Sequence, residues 1–186
     1  MPEIFSVLDF ETTGHVAGFP NEPWQVGIVS LGPGGIVPGS AFSAFFRISP
    51  DRPFSRRAPG RWASIRDVLA SSPEPYAIWD ALSARLCGVP LVAHNASTER
   101  TVLRSLAPVS RFGPWIDTLP LARRLYPGMK SYALGDLVSA LGLQGEVDAA
   151  SGGGEWHDAL YDAFAAAVLL DFMRRTRPGC LSSGLF

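Results

Sequence analysis

Several large classes of protein are excluded by what this sequence contains little of. Its two cysteines, Cys87 and Cys180, are far apart and match neither a zinc-ligand spacing nor a disulfide framework. Cys87 ends an apolar run and is expected to be packed. No stretch approaches the roughly 20 consecutive apolar residues of a membrane span. The N-terminus has neither the basic region nor the apolar core of a signal peptide. We therefore expect a cytoplasmic protein with no membrane partner.

An excess of one charge is also missing. The formal net charge is −1, and Lys130 is the only lysine among the basic residues. Such a balance gives no general attraction for nucleic acid, so any contact with nucleic acid must come from local clusters. The 186 residues, 47% of them hydrophobic, suit one compact α/β domain.

Residues 4–14 are the most informative stretch. An apolar run leads into Asp9-Phe10-Glu11 and stops at a glycine, which is typical of a buried strand that ends in a turn. Side chains alternate across a strand, so Asp9 and Glu11 share one face. Two neighbouring carboxylates repel each other. A divalent cation would stabilise them, because it takes carboxylate oxygens as ligands. These residues alone leave two interpretations open, a metal site and a strand that ends in solvent.

A second strand is predicted over residues 24–31. The Gly-Pro-Gly-Gly sequence at 32–35 predicts a turn, and residues 36–48 predict a third strand that is broken at Pro38-Gly39. Close succession with a tight turn favours an antiparallel meander.

Residues 49–75 are irregular, because five prolines interrupt them. A short helix is predicted around Trp62. The segment 52–66 is rich in arginine (Arg52, Arg56, Arg57, Arg61 and Arg66) and carries aromatic residues. These side chains could follow a phosphate backbone and stack on bases, or the segment could be a solvated insertion.

The second half of the chain alternates strands and helices. A short apolar strand at 90–93 leads into Glu99, which lies in the first turn of a helix capped by Asn95 or Ser97. Residues 145–155 contain four glycines and are predicted to be a flexible loop. A last long helix is predicted from near His157 to about Arg175, and Asp162 has no apolar role on it.

Three short motifs together resemble the DEDDh family of 3′→5′ exonucleases, which includes the proofreading subunits of bacterial replicative polymerases. The motifs, in chain order, are Asp9-Phe10-Glu11-Thr12-Thr13-Gly14, Ala93-His94-Asn95-Ala96-Ser97-Thr98-Glu99 and His157-Asp158-Ala159-Leu160-Tyr161-Asp162-Ala163. The resemblance spans about residues 4–172.

This resemblance implies an α/β, ribonuclease H-like fold with a five-stranded mixed sheet flanked by helices. Residues 1–176 would form the exonuclease domain and residues 177–186 a flexible C-terminal tail. The implied activity is hydrolysis of nucleic-acid 3′ ends to nucleoside monophosphates. Single-stranded DNA is favoured as the substrate and RNA remains possible.

The resemblance also assigns roles to residues. Two divalent cations, Mg²⁺ or Mn²⁺, would be held by Asp9, Glu11, Glu99 and Asp162, with Asp9 between them. His157 would be the general base, and the ordinary imidazole pKa of about 6.5 suits that role. The glycines before His157 would let it swing into place when substrate binds. His94 would support the site or pack, and His15 would lie on the surface. Substrate contacts are expected from Phe10, Thr12, Thr13 and Asn95, chiefly through the backbone of residues 10–13.

Glu99 departs from the family, which usually has aspartate at this position. The longer side chain could still bind metal, directly or through water, or could change the metal preference. Arg100 could instead pair with Glu99 and leave the metal site one ligand short. A decayed site would make the chain a non-catalytic nucleic-acid-binding or polymerase-accessory module. An oligoribonuclease-like RNA exonuclease is a further alternative.

The chain ends on Leu185-Phe186 after residues that cannot continue a helix. This ending weakly resembles the peptides that dock on bacterial sliding clamps, although the usual leading glutamine is missing. The alternatives are a disordered tail and a tail that folds back on the domain.

Overall fold

The structure of the protein is a computed structural model that describes residues 4–181. Within this range the chain forms six strands and seven α-helices. The strands are β1 (Phe5–Thr12), β2 (Pro23–Gly32), β3 (Gly35–Ile36), β4 (Phe42–Phe45), β5 (Leu91–Ala93) and β6 (Trp115–Asp117). The helices are α1 (Arg66–Ser71), α2 (Trp79–Leu86), α3 (Ser97–Leu106), α4 (Thr118–Leu125), α5 (Leu134–Ala140), α6 (Gln144–Ser151) and α7 (Ala159–Thr176). Short 3₁₀ helices, Trp62–Ile65 and Pro75–Ile78, lead directly into α1 and α2.

The sheet is mixed and has β1 in its middle. β1 pairs antiparallel with β2 and parallel with β5, and β5 pairs parallel with β6. β3 and β4 pair antiparallel with successive parts of β2. The predicted meander is therefore confirmed. Because β1, β5 and β6 are parallel, their C-terminal ends meet at one edge of the sheet.

The sheet has six strands where five were predicted. The predicted third strand is divided into β3 and β4 by the segment that contains Pro38 and Gly39. Proline has no N–H to donate to a ladder, and Gly39 has a φ of +73°, which extended strand backbone does not adopt. The mixed α/β architecture with flanking helices is as predicted.

Side-chain alternation in β1 separates two hydrophobic layers. Phe5 and Val7 belong to a layer formed with α7, whereas Leu8 and Phe10 belong to a layer on the other face. The second layer includes Leu82 and Leu86 of α2 and Val102 and Leu103 of α3. The odd positions of β1 therefore face α7, and Asp9 and Glu11 are odd positions.

α7 is the most buried helix among the described residues, with eleven buried positions over its 18 residues. Three consecutive alanines, 165–167, are all buried, and small side chains let the helix lie close to the sheet. It packs mainly against β1 and β2. The predicted start near His157 is correct to within two residues.

The predicted loop at 145–155 is wrong over its first half, which forms α6. Gly145 lies in the first turn of this helix, where one glycine is tolerated, and Val147 is buried. Gly152 ends the helix in the left-handed conformation with a φ of +75°. Only residues 152–158 remain as the connection to α7.

Two local predictions are also wrong. Cys87 is exposed rather than packed, because it follows the last residue of α2 in extended conformation. The N-cap of α3 is Ala96, with no hydrogen bond from a capping side chain of its own. The caps predicted at Asn95 and Ser97 are replaced by the Asp117 carboxylate, which accepts the N–H of Asn95 at 2.9 Å and of Ala96 at 3.0 Å.

Among residues 4–181, no helix is long and apolar enough to cross a membrane. Cys180 and Leu181 are buried beside Met173 of α7. Residues 182–186 lie outside the described residues. The predicted flexible tail from residue 177 does not apply to Cys180 and Leu181, which pack on the domain, and it stays a prediction for residues 182–186. The clamp-docking ending at Leu185-Phe186 also stays a prediction.

Candidate active site

Two acids of the candidate site come from the C-terminal half of β1. Asp9 lies opposite Gly27 of β2, and Glu11 lies opposite Gln25. Both acids project from the face that α7 covers. Glu11 is only 5% exposed, so its carboxylate cannot be stabilised mainly by solvent.

Gly27 allows the N-terminus of α7 to reach this pair of acids. A Cβ atom at this position would lie 2.2 Å from the backbone of Ala159 and Leu160. No side chain fits in that space, so the helix start and the strand touch backbone to backbone. The close approach places the first turn of α7 directly over Asp9.

Gln25 then fastens the start of α7. Its side-chain nitrogen donates to Asp158 Oδ2 at 3.0 Å, and its oxygen accepts the N–H of Ala159 at 3.4 Å. Asp158 is the N-cap of the helix and accepts the N–H of Leu160 at 3.1 Å. Arg61 also pairs with Asp158 Oδ2, at 3.3 Å.

The hydrogen bonds of Gln25 to Asp158 and Ala159, here called the Gln25–Asp158 clamp, determine where His157 and Asp162 lie. His157 directly precedes the N-cap and has a φ of +67°, a conformation that turns the chain sharply into the helix. Ligand atoms of Glu11, His157 and Asp162 lie within 4.8 Å of one another. His157 is thus already beside the two acids and is exposed, so the predicted swing is not needed to bring it to them.

Glu99 enters from the other side, in the first turn of α3. It is 3% exposed, and it forms no ion pair within residues 4–181. Arg100 does not pair with it, because the guanidinium lies over the Trp115 ring, 5.4 Å from the centroid. The alternative in which Arg100 removes Glu99 from the cluster is therefore wrong.

Burial raises the pKa of all four acids, and neighbouring carboxylates add to each shift. Burial raises the pKa of Asp9 well above its usual value, and Glu99, Asp162 and Glu11 add to the rise. Burial, then Asp162, Asp158 and Glu99, raise the pKa of Glu11 to about 8. The pKa values of Glu99 and Asp162 rise to about 7, mainly through burial, although backbone hydrogen bonds oppose both shifts.

The cluster fits divalent cations. Glu99 Oε2 and Asp162 Oδ1 are buried and have no hydrogen-bond partner in the described part of the chain. Buried polar atoms are normally paired, so two unpaired carboxylate oxygens in one acidic cluster point to a missing positive partner. An all-carboxylate donor set suits Mg²⁺ or Mn²⁺.

His94 links β5 at this edge of the sheet to two neighbouring segments. Its ring nitrogens lie 2.9 Å from Thr118 Oγ1 and 2.8 Å from the Tyr132 carbonyl oxygen. Burial lowers its pKa. These contacts match the supporting role predicted for His94, and they join β5 to the segment before α5.

The four predicted substrate-binding residues have different surroundings. Phe10 is buried and packs on Phe46, so only its backbone can face a nucleotide. Thr13 is fully buried, and its hydroxyl accepts the N–H of Glu22. The Thr12 carbonyl accepts the Trp24 indole N–H at 3.2 Å. Asn95 is exposed, with a φ of +63°.

Three arginines of the arginine-rich segment form hydrogen bonds or ion pairs within the protein. Arg52 is 6% exposed and donates to Glu22, to Thr13 Oγ1 and to two backbone carbonyls. Arg66 donates to the carbonyls of Pro50 and Arg52. Arg61 pairs with Asp158 as described above. Within the described residues, Arg56 and Arg57 are the arginines of this segment that are exposed and form no ion pair, so the predicted phosphate contacts are restricted to them in this arrangement.

Four residues that the sequence did not single out as functional hold the site together: Gln25, Gly27, Asp117 and Asp158. Gly27 had a detectable signal, because a glycine inside a strand often marks a close backbone approach. Asp117 and Asp158 each precede a helix, which is the usual place for a capping acid. No local signal identifies Gln25.

The chain matches a protein-family model described as Exonuclease over residues 6–170. It is 32% identical over 169 residues to exodeoxyribonuclease 10 of Escherichia coli (strain K12), covering 90% of this chain and 67% of that protein. It is 31% identical over 170 residues to the PolC-type DNA polymerase III of Halalkalibacterium halodurans, covering 89% of this chain but 11% of the polymerase. Its fold resembles a crystal structure of E. coli exonuclease I in complex with a dT13 oligonucleotide, with a TM-score of 0.71, 13% identity, and 97% of this chain and 43% of the other covered.

Proposed function

Because this chain belongs to the exonuclease family, we propose that it is a metal-dependent 3′→5′ exonuclease that releases nucleoside monophosphates from DNA 3′ ends. The observation that carries the proposal is the cluster of four carboxylates, two of whose oxygens are buried without a partner in the described part of the chain. Such a cluster is unfavourable by itself and becomes favourable when cations bind.

Asp9, Glu11, Glu99 and Asp162 are the residues that would hold two cations. Asp9 lies on β1 between the other acids, and three of them raise its pKa, so it is the natural shared ligand. When bound, two divalent cations would activate the attacking water and stabilise the charge that develops on the leaving 3′ oxygen.

His157 is the proposed general base. It is exposed, so a water molecule can reach it, and it lies beside Glu11 and Asp162 where the scissile phosphate would be. Its left-handed conformation and the Gln25–Asp158 clamp hold its backbone at the start of α7 before substrate arrives. A base held in position contributes typically 10²–10⁴-fold to rate.

DNA is the proposed substrate, single-stranded in preference to duplex. The support is that the relatives are named as an exodeoxyribonuclease and a DNA polymerase, and that exonuclease I was crystallised with a dT13 oligonucleotide. The chain at the end of β1, residues 10–13, would hold the terminal nucleotide next to the acids.

The test uses oligonucleotides labelled at the 5′ end: single-stranded DNA, duplex DNA, RNA of the same sequence, and single-stranded DNA with a 3′-terminal phosphorothioate linkage. With Mg²⁺ or Mn²⁺, we expect a ladder that shortens from the 3′ end of DNA, and a block by the phosphorothioate. A chelator should stop the reaction.

Asp9→Ala is expected to abolish hydrolysis, and Asp80→Ala is the matched control, because Asp80 is an exposed acid on α2. Internal cleavage, activity in chelator, or full activity in Asp9→Ala would contradict the proposal. A stronger reaction on RNA would reassign the substrate and keep the mechanism.

A further inference from the structure

A cavity of about 370 Å³ lies beside the acidic cluster, at the ends of β5 and β6. We call it the basic cavity, and the lining residues that matter here are His94, Asn95, Arg123, Lys130, Ser131 and Tyr132. Asn95 lies in the loop between β5 and α3, four positions before Glu99, and thereby joins the cavity lining to the helix that carries one of the acids. His157 approaches the acids from the α7 side, whereas the basic cavity is on the β5–β6 side.

The two cations of this cavity are not used elsewhere in residues 4–181. Arg123 and Lys130 are exposed, and neither forms an ion pair within the described range. Arg123 lies over the Tyr132 ring, 5.7 Å from its centroid, which limits where its guanidinium can go. Arg52, Arg61 and Arg66 are, in contrast, all engaged by carboxylates or carbonyls.

The walls of the cavity are held in place. His94 joins the Tyr132 carbonyl to Thr118, and the Asp117 carboxylate accepts the backbone N–H of Asn95. The backbone of Asn95 and Tyr132 and the ring of His94 therefore keep their positions relative to the end of β5. A preformed site loses less entropy when a ligand binds.

A substrate strand that passes the acidic cluster needs positive charge on the neighbouring surface. Four acids at the reaction centre repel a polyanionic strand wherever bound cations do not neutralise them. A strand whose 3′ end lies at Asp9 must continue past the cluster, and in the arginine-rich segment Arg56 and Arg57 are the exposed arginines without an ion pair in the described part of the chain. The basic cavity offers two further exposed cations together with neutral hydrogen-bond donors.

We propose that Arg123 and Lys130 bind a phosphate of the substrate strand that is not cleaved, on the 5′ side of the scissile bond, with Ser131 and the Asn95 side chain as neutral donors. Arginine offers a fork of N–H donors to a phosphate, and lysine adds a mobile point charge. This proposal rests on the proposed function, since it assigns a second contact to the same strand.

The kinetic test compares two substrates. One is the p-nitrophenyl ester of thymidine 5′-monophosphate, which has a scissile phosphodiester and no further phosphate. The other is a single-stranded oligonucleotide. In Arg123→Ala/Lys130→Ala, we expect the ratio of kcat/KM for the oligonucleotide to kcat/KM for the ester to fall about tenfold or more, chiefly through KM. Arg111→Ala, an exposed arginine before β6, should keep the parent's ratio.

The binding test does not need catalysis. Asp9→Ala protein in Ca²⁺ is titrated with a fluorescent oligonucleotide at several salt concentrations. Adding the two cavity substitutions should weaken binding. The plot of log association constant against log salt has a negative slope, and its magnitude should fall by about 0.7, the value for one phosphate contact on a single strand.

The two tests separate failure of this proposal from failure of the proposed function. A parent protein without nuclease activity would overturn the exonuclease assignment, and the salt slope would still decide the phosphate contact. An unchanged substrate ratio together with an unchanged salt slope would overturn the basic cavity as a binding site. An equal loss on ester and oligonucleotide would also overturn it, because that result indicates damage to the catalytic cluster.

Discussion

Glu99 shows how one additional methylene group can be accommodated. The residue lies in the first turn of α3, is 3% exposed, and has one carboxylate oxygen without a partner within the described residues. Its backbone and that of Phe10 provide hydrogen bonds that lower its pKa, against the larger effect of burial. A side chain that only stabilised the helix dipole would point to solvent, so the burial argues for a role inside the cluster.

We expect Glu99→Asp to keep activity within about tenfold of the parent, with a changed preference between Mn²⁺ and Mg²⁺. Glu99→Gln, which keeps the size and removes the charge, should lose about 100-fold or more, since even outer residues of metal sites contribute 10–100-fold. Steady-state rates over a range of metal concentrations measure both effects. Parent-like behaviour of Glu99→Gln would reduce Glu99 to a favourable helix charge.

His157 gives the second prediction at this scale. His157→Ala should lower kcat by 10²–10⁴-fold and change KM little, because a base acts on the attacking water and not on the strand. The part of the pH–rate profile that depends on the base should disappear as well. His15→Ala, which alters an exposed histidine in the loop after β1, should behave like the parent. If the pH–rate profile of His157→Ala matches that of the parent, another group supplies the base.

At the scale of elements, the contact between β2 and α7 builds the site. Gly27 lets the helix start touch the strand, and Gln25 fastens it through Asp158 and Ala159. Asp117 has a comparable role on the other side, where it accepts N–H groups at the starts of both α3 and α4. Glu99 and Asp162, the two cluster acids that lie on helices, are thus each placed by a helix start that a polar side chain holds.

Gly27→Ala should destabilise the protein and impair catalysis together. The new methyl group would overlap the Ala159 backbone, and relief requires α7 to move away from Asp9. We expect a loss of about 1–3 kcal/mol in the free energy of unfolding, the usual range for overpacking. Urea unfolding measures the loss of stability. Nuclease rates over a range of metal concentrations measure the loss of catalysis and of metal affinity.

Gly145→Ala is the matched control for this substitution. Gly145 lies in α6 with open space around its Cα, so alanine should be neutral or stabilising there. A Gly27→Ala protein with parent stability and parent metal affinity would show that the helix start is not held by this contact.

For the whole molecule, the raised pKa values of the acidic cluster couple stability to pH. The folded-state pKa values of Glu11, Glu99 and Asp162 are about 8, 7 and 7, above the values near 4 of the unfolded chain. The folded protein therefore binds more protons than the unfolded chain between about pH 4 and pH 8. Stability from these groups is fully present below the unfolded pKa and falls as the pH rises through the folded values.

We expect the metal-free protein to lose on the order of a few kcal/mol of stability between pH 5 and pH 8. Mn²⁺ should restore more stability at pH 8 than at pH 5, because the ion must displace protons at the lower pH. Calorimetric Tm values in chelator and in Mn²⁺ across this range test the prediction. Asp9→Asn should flatten the pH dependence in chelator, and a Tm of the parent that rises from pH 5 to pH 8 in chelator would contradict it.

The sequence by itself determined the local features of this protein. Alternation of polar and apolar residues in β1 placed Asp9 and Glu11 on one face, and the apolar stripe before Arg175 predicted α7. These features depend on periodicity within one element, which neighbouring residues encode. The three motifs also indicated the family, because each places an acid or a histidine at the end of a strand or at the start of a helix.

Only the tertiary structure decided how the elements meet. Nothing local in residues 49–66 distinguishes a buried Arg52 from a free one, because its partners Thr13 and Glu22 lie about 30 residues or more away in the chain. Likewise, Gln25 and Asp158 are separated by 133 positions, and Arg123 and Lys130 face one cavity with Asn95 only because β5 and β6 are neighbours. Contacts of this kind depend on strand order and on the packing distance of α7, which no single stretch of the chain encodes.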